Sequence, residues 1–309
     1  MVAPKLDFED APSSGSLAAP VPYAPSLDGT PAVPAPERQR DLVLEARLVA
    51  DGPPLANGVT WRVFGRRPGP DGQLVLVATA EGGSTTVQLA SGDYLIHAAF
   101  GRAGATKRVS IADGDKMESL VLDAGGLKLD AIVGDNETVP AEHLAFDILR
   151  EDDNGELVTV VPGAKPGLVL RLAAGTYHVI SRYGGVNAVV RADIQIEPGK
   201  LTEVVMRHTG AEVTLKLVSV EGGEAVANTS WTVLTKDGTT VHESIGAFPS
   251  IVLAEGSYEA VASHQDQVYS REFTVEPGVD RDIEVQFSDL VVPEVSGNTP
   301  GISGAPQQP

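Results

Sequence analysis

Leu89-Ala90-Ser91-Gly92-Asp93-Tyr94 recurs as Leu172-Ala173-Ala174-Gly175-Thr176-Tyr177 and again as Leu253-Ala254-Glu255-Gly256-Ser257-Tyr258. The closing tyrosines stand 83 and 81 residues apart. Upstream, one large aromatic keeps the same register, as Trp61, Phe146 and Trp231, spaced 85 and 85 residues. Nineteen residues before each aromatic an alternating apolar stretch begins, at Leu42, Leu127 and Glu212. Downstream, Ile111-Ala112-Asp113-Gly114 matches Ile196-Glu197-Pro198-Gly199 and Val275-Glu276-Pro277-Gly278. Features that hold register through three copies define a tandem repeat of one module. The chain therefore divides into modules at 41–124, 125–209 and 210–288, flanked by arms at 1–40 and 289–309.

The second copy shows what one module is. Short runs rich in β-branched residues lie at 127–133, 144–150, 157–161, 168–172, 177–183, 188–196 and 201–206. Alternation in Tyr177-His178-Val179-Ile180-Ser181 is the period of a half-buried strand. Turn chemistry separates the runs: Pro70-Asp71-Gly72, Asp153-Asn154-Gly155 and Lys236-Asp237-Gly238 follow the aromatic strand and supply the positive φ of two-residue hairpin turns. The glycine of the Leu-Ala-x-Gly-x-Tyr motif allows a tight turn before the tyrosine packs inward. No segment carries a sustained helical period. The expected fold is all-β: three tandem seven-stranded antiparallel sandwiches, immunoglobulin-like or transthyretin-like.

Composition sets limits on function. The 309 residues include 42 acidic and 23 basic side chains, for a net charge of −19, which repels phosphate backbones and anionic membranes. Nucleic acid is therefore not an expected partner. The absence of cysteine excludes disulfides, thiolate metal sites and a thiol nucleophile. No run of about 18 apolar residues is present, so no membrane-spanning helix is expected. The start, Met1-Val2-Ala3-Pro4-Lys5-Leu6-Asp7, lacks an apolar signal core, so the chain is either cytosolic or begins near a mature N-terminus, and the second is the expectation. The arms are rich in Pro, Ala, Ser and Gly and are expected to be disordered spacers.

A strand with Leu, then Ala-x-Gly-x-Tyr, then Val/Ile-x-Pro-Gly and a closing strand resembles the carboxypeptidase-regulatory-like, PEGA and collagen-adhesin B-type group of modules. The resemblance covers roughly residues 41–288 and implies spacer, adhesion or interaction domains of secreted and envelope proteins. Some members of the group carry a Lys–Asn crosslink. Lys128 and Lys216 sit on first strands here, but the first copy has no lysine there and the final strands lack asparagine, so none is expected.

Repetition also sorts the candidate chemistry, because a feature found in every copy is explained by folding. Trp61, Phe146 and Trp231 are thereby read as core rather than as sugar-stacking surfaces. The acidic run 151–156 is not repeated, and Asp152, Asp153 and Glu156 are its weak candidates for calcium; an ordinary turn is the favoured reading, because the Asp-x-Asp-x-Asp-Gly spacing is missing. The six histidines occupy different repeat positions and suggest neither a metal site nor a catalytic set. Phe100, Tyr183 and His264 end the strand after the repeat tyrosine and are the candidate interaction residues. Between modules only a few residues remain, which predicts a semi-rigid rod. The expected function is a non-enzymatic rod of the periplasm or cell envelope that spaces or binds protein partners, without a cofactor. The alternative is a carbohydrate- or other ligand-binding array.

Overall fold

The computed structural model describes residues 38–112 and 114–291. The two arms thus lie almost wholly outside the described residues, as does Asp113 of the Asp113-Gly114-Asp115 turn. The described chain is built of strands, and none of its helices is long and apolar enough to cross a membrane.

Six sheets form three pairs. In the first sandwich β4 (Ser84–Leu89), β1 (Arg40–Arg47) and β7 (Lys116–Val121) make one sheet. Against it pack β3 (Leu74–Glu81), β2 (Thr60–Pro68), β5 (Gly92–Phe100) and β6 (Ala103–Ile111). In the second sandwich β12 (Val169–Ala173), β8 (Ala124–Val133) and β15 (Leu201–His208) form the smaller sheet, with the two-residue β9 (Glu137–Thr138) added to β8. The larger sheet is β11 (Leu157–Ala164), β10 (Leu144–Glu151), β13 (Gly175–Tyr183) and β14 (Ala188–Ile196). In the third, β19 (Ser250–Leu253), β16 (Ala211–Val218) and β22 (Arg281–Gln286) oppose β18 (Thr240–Ile245), β17 (Ser230–Thr235), β20 (Gly256–His264) and β21 (Gln267–Val275). Each copy thus has the expected strands in a four-plus-three arrangement. One pairing per copy is parallel, that of the last strand with the first. The last strand crosses over from the other sheet, which lets it run alongside the first in the same direction.

Each sandwich buries its own hydrophobic core. Trp61, Phe146 and Trp231 sit at its centre, at most 1% exposed. The two indole N–H groups donate to backbone carbonyls, Trp61 to Gly82 at 2.8 Å and Trp231 to Gly246 at 3.0 Å. A buried donor is thereby satisfied without a second side chain.

The hexapeptide that revealed the repeat is a tyrosine corner. Tyr94, Tyr177 and Tyr258 each donate a hydroxyl hydrogen bond to the carbonyl four residues upstream, in Ala90, Ala173 and Ala254, at 2.9, 3.0 and 3.0 Å. The bond ties the end of one sheet to the start of the other, as in other sandwiches. A Cβ at Gly92 or Gly256 would meet the tyrosine ring at about 3.6 and 3.5 Å, so the ring lies over the bare backbone. Gly175 and Gly256 also adopt φ of 137° and 155°.

The hairpin turns differ from the expected two-residue type. Closing bonds run Gly69 N–H to Gln73, Asp152 to Glu156 and Thr235 to Thr239, at 2.7, 2.9 and 2.9 Å, which leaves three residues in the loop. Gly72, Gly155 and Gly238 take the left-handed conformation at the third loop position, with φ of 75°, 80° and 83°. That is a type I turn followed by a glycine bulge, the geometry favoured by three-residue hairpins.

Candidate functional site

Only two residues, Leu122-Asp123 and Thr209-Gly210, separate one sandwich's last strand from the next one's first. The strand-end aromatics lie at the resulting seams. Phe100 is 9% and Tyr183 5% exposed, so neither offers a free aromatic face to an outside partner. Across the first seam the Arg171 guanidinium stands 4.5 Å from the Phe100 ring centroid, a cation–π contact, and the Arg102 N–H donates to the Arg171 carbonyl at 2.9 Å. Gly101 has φ of 66°, and a Cβ there would lie 2.7 Å from the Arg171 Cβ. Across the second seam Gly184, φ 70°, abuts Val252, whose Cβ would stand 2.5 Å from an added Cβ. Arg171 and Val252 both precede their repeat tyrosine by six residues, so the same contact is made twice. His264 is half-buried, and at the equivalent of Gly101 and Gly184 the third sandwich has Gln265 at φ 49°. Contact with a sister sandwich accounts for the apolar character of Phe100 and Tyr183.

The second seam carries more polar chemistry. Asn187 donates its amide to the Tyr258 hydroxyl at 2.9 Å and accepts from the Ala254 N–H at 2.9 Å. His208, 1% exposed, pairs its Nε2 with the Ser181 hydroxyl at 2.7 Å and meets the Tyr183 ring edge-on at 5.8 Å. Burial pushes the His208 pKa below its ordinary value. The Tyr183 hydroxyl is pushed up to about 12 by burial and by the carboxylates of Asp280, Glu212 and Glu137.

Asp152, Asp153 and Glu156 occupy an ordinary turn of the repeat. The Asp152 carboxylate accepts the backbone N–H groups of Asn154 and Glu156 at 2.8 and 2.9 Å, which hold its pKa below the usual range. Its Oδ1 is committed to the backbone of the loop itself. Among the described residues, no group of three or more His, Asp or Glu is placed to hold a metal ion. Lys128 and Lys216 form ion pairs with Glu203 and Asp282 on the closing strands.

A recess recurs beneath the hairpin at the same place in the repeat. In the first sandwich it has a volume of about 460 Å³ and is lined by Arg66, Leu74, Asp93, Leu95, Arg108 and Ser110 among others. In the third, of about 360 Å³, the matching positions are Lys236, Ser257, Glu259, Glu272 and Thr274. In the second, Glu151, Thr176 and His178 line about 260 Å³. The backbone makes the recess and the side chains change its character: arginine and leucine in the first copy, histidine and carboxylate in the second, two glutamates in the third. Arg66 donates to Asp93 at 2.8 Å, and Ser110 and Arg66 together hold that carboxyl below the usual range.

One edge exposes a longer aliphatic run than the equivalent strands of its sisters. Leu74, Val75, Leu76 and Val77 of β3 are 39%, 50%, 50% and 48% exposed, on the outer strand of the sheet. A run of four consecutive aliphatics reads from sequence as a buried strand, so the available signal pointed the wrong way.

Fold and surface together define a tandem array of β-sandwiches with a repeated seam contact and faces that vary between copies. Residues 212–287, the bulk of the third sandwich, match the family model of the Rhizobiales growth-associated tandem repeat domain. No curated protein matches the chain. Among solved structures, the Bacillus anthracis TIE protein aligns with 80% of this chain at 16% identity and a TM-score of 0.23. This chain spans about half of that one, 51%. The minor pilin GBS52 of Streptococcus agalactiae aligns with 55% of this chain and 95% of its own, at 15% identity and a TM-score of 0.30. A putative cell adhesion protein from Bacteroides ovatus aligns with 54% and 94%, at 11% identity and 0.28.

Proposed function

We propose that the protein is a non-enzymatic scaffold of the cell envelope, in which three sandwiches hold protein partners at set positions. The observation that carries this reading is the repeated seam. Phe100-Gly101 against Arg171 and Tyr183-Gly184 against Val252 join successive sandwiches through one set of contacts, backed by the Asn187 bridge. Two-residue connections and glycines that no side chain can replace are a costly way to link independent domains. They suit a chain whose modules must keep their relation.

The partner surface then lies on the faces that vary between copies. A periplasmic or other extracytoplasmic location accords with this reading, and the growth-associated repeat matched by the third sandwich fits a role in the growing envelope. The glycan alternative requires aromatics lined up on an open face, and the repeat aromatics are instead at most 1% exposed.

Fractionation followed by in-cell crosslinking of the native chain tests the proposal. Recovery with the envelope, crosslinked to discrete protein partners, is expected. Recovery in the cytosol, or crosslinks to glycan alone, would overturn it.

A further inference from the structure

The geometry points to the β3 edge of the first sandwich as the docking site for an extended protein segment that alternates aliphatic and acidic residues. The inference deepens the scaffold reading and rests on it. β3 is the outer strand of its sheet, paired on one side only, by β2. From Gln73 to Ala80 it carries no charge, and four successive aliphatics stand 39–50% exposed. Such an edge is a template for strand addition, and proteins ordinarily guard it with charges, prolines, bulges or brevity.

The sister strands serve as internal controls. β11 is likewise uncharged and exposes Leu157 and Val158, at 53% and 50%, but has Pro162 within it. β18 is six residues long and places His242 and Glu243 at its middle. β3 and β11 each have two register shifts against their neighbours, yet the aliphatic stretch of β3 has neither charge nor proline. Proline guards this repeat slot in β11 and charge guards it in β18, and neither stands in the aliphatic stretch of β3.

Charge selects the occupant. The only ionisable residues of β2, the strand behind the edge, are Arg62, Arg66 and Arg67, all exposed. On the outward face Leu76 pairs with Phe64, Phe64 with Leu95, and Leu95 with Arg108, an apolar row that ends in a cation. An added strand would lie about 10 Å from β2, two strand spacings away, within reach of extended arginine side chains. Aliphatic residues of that strand would cover Leu74 and Leu76, and its carboxylates would meet Arg62 and Arg67, since Arg66 is paired with Asp93. A second copy fits less well, because its own β3 brings a single carboxylate, Glu81 at the strand's end, and the chain as a whole carries −19. The first module is close to neutral, with 10 acidic and 8 basic residues in 41–124 against 13 and 4 in 210–288, so it repels an acidic segment least.

The test uses the full chain and two fluorescein-labelled nonapeptides, one alternating valine or leucine with glutamate, the other with lysine in place of glutamate. Fluorescence anisotropy should show the acidic peptide binding at least tenfold more tightly. Leu74→Asp/Leu76→Asp should weaken that binding tenfold or more with the melting curve unchanged, whereas Thr240→Asp/Ile245→Asp on β18 should leave it alone. If the first pair disturbs folding, Arg62→Glu/Arg67→Glu carries the same expectation. Equal affinity for the two peptides, no binding, or binding indifferent to the β3 and β2 substitutions would overturn the inference. So would a dimer in sedimentation velocity that Leu74→Asp/Leu76→Asp dissociates, since the edge would then belong to a second copy. Loss of peptide binding leaves envelope crosslinking intact, and cytosolic recovery of the chain defeats the scaffold reading without touching peptide affinity, so the two failures are distinct.

Discussion

The Asn187 amide of the second sandwich donates to the Tyr258 hydroxyl of the third at 2.9 Å, while that hydroxyl donates to its own Ala254 carbonyl at 3.0 Å. One tyrosine thus closes the corner of its sandwich and anchors the neighbour. Asn187→Ala removes both of the asparagine's bonds across the seam, at about 1 kcal/mol for each net hydrogen bond. Differential scanning calorimetry should then resolve separate transitions for the second and third sandwiches where the parent chain shows a coupled one.

The three tyrosine corners are not equivalent in what they hold. Tyr177→Phe deletes one hydroxyl bond and is expected to cost about 1–2 kcal/mol, since a half-buried carbonyl loses its partner. Tyr258→Phe deletes the corner and the seam bond together and should cost more in urea unfolding. Equal losses would mean that the Asn187 contact contributes nothing in solution.

Gly184 and Gly155 separate seam packing from backbone strain. Both have positive φ, 70° and 80°, but a Cβ at Gly155 meets nothing within 4 Å, while one at Gly184 would press on Val252. Gly155→Ala should cost about 1–2 kcal/mol through left-handed strain alone. Gly184→Ala adds displacement of the third sandwich, which protease cleavage between 208 and 211 would report.

Two seam groups set opposite limits on the pH range of stability. His208 is held below its ordinary value of 6.5 by burial, so the unfolded chain binds the extra proton. Its contribution is complete above about pH 6.5 and is lost as pH falls through the folded value. Tyr183 is raised from 10.0 to about 12, so its contribution is complete below pH 10 and is lost as pH rises from 10 to 12. Denaturation midpoints measured from pH 5 to 8 should fall on the acid side, and His208→Phe should flatten that limb.

Calcium is expected to do nothing to the turn at Asp152. Its carboxylate already accepts two backbone N–H groups, and the same loop closes in the other two copies without a cluster of acids. Millimolar calcium should leave the melting temperature unchanged, and a rise that Asp152→Asn abolishes would refute this.

Much of the architecture was legible in the sequence because it is a local property repeated three times. Alternation placed the strands of the second copy within a few residues, and the Asp-Gly and Asn-Gly signals placed the hairpins. The loop length was misjudged, since the glycine marks a position of positive φ but not the closing pair. Phe100 and Tyr183 read from sequence only as interaction candidates, because nothing at a strand end tells whether solvent or a sister sandwich lies beyond it.

By itself, then, the sequence determined that the chain folds as repeated sandwiches around Trp61, Phe146 and Trp231, and why Leu-Ala-x-Gly-x-Tyr recurs. Period and register are one-dimensional, and hydrophobic alternation writes them into the chain directly. Only the tertiary structure decided that Arg171 covers Phe100, that Asn187 reaches Tyr258, and that Leu74–Val77 lie open on an edge. Those relations join residues from different strands or sandwiches, and burial is fixed by what packs against a residue rather than by the residue alone.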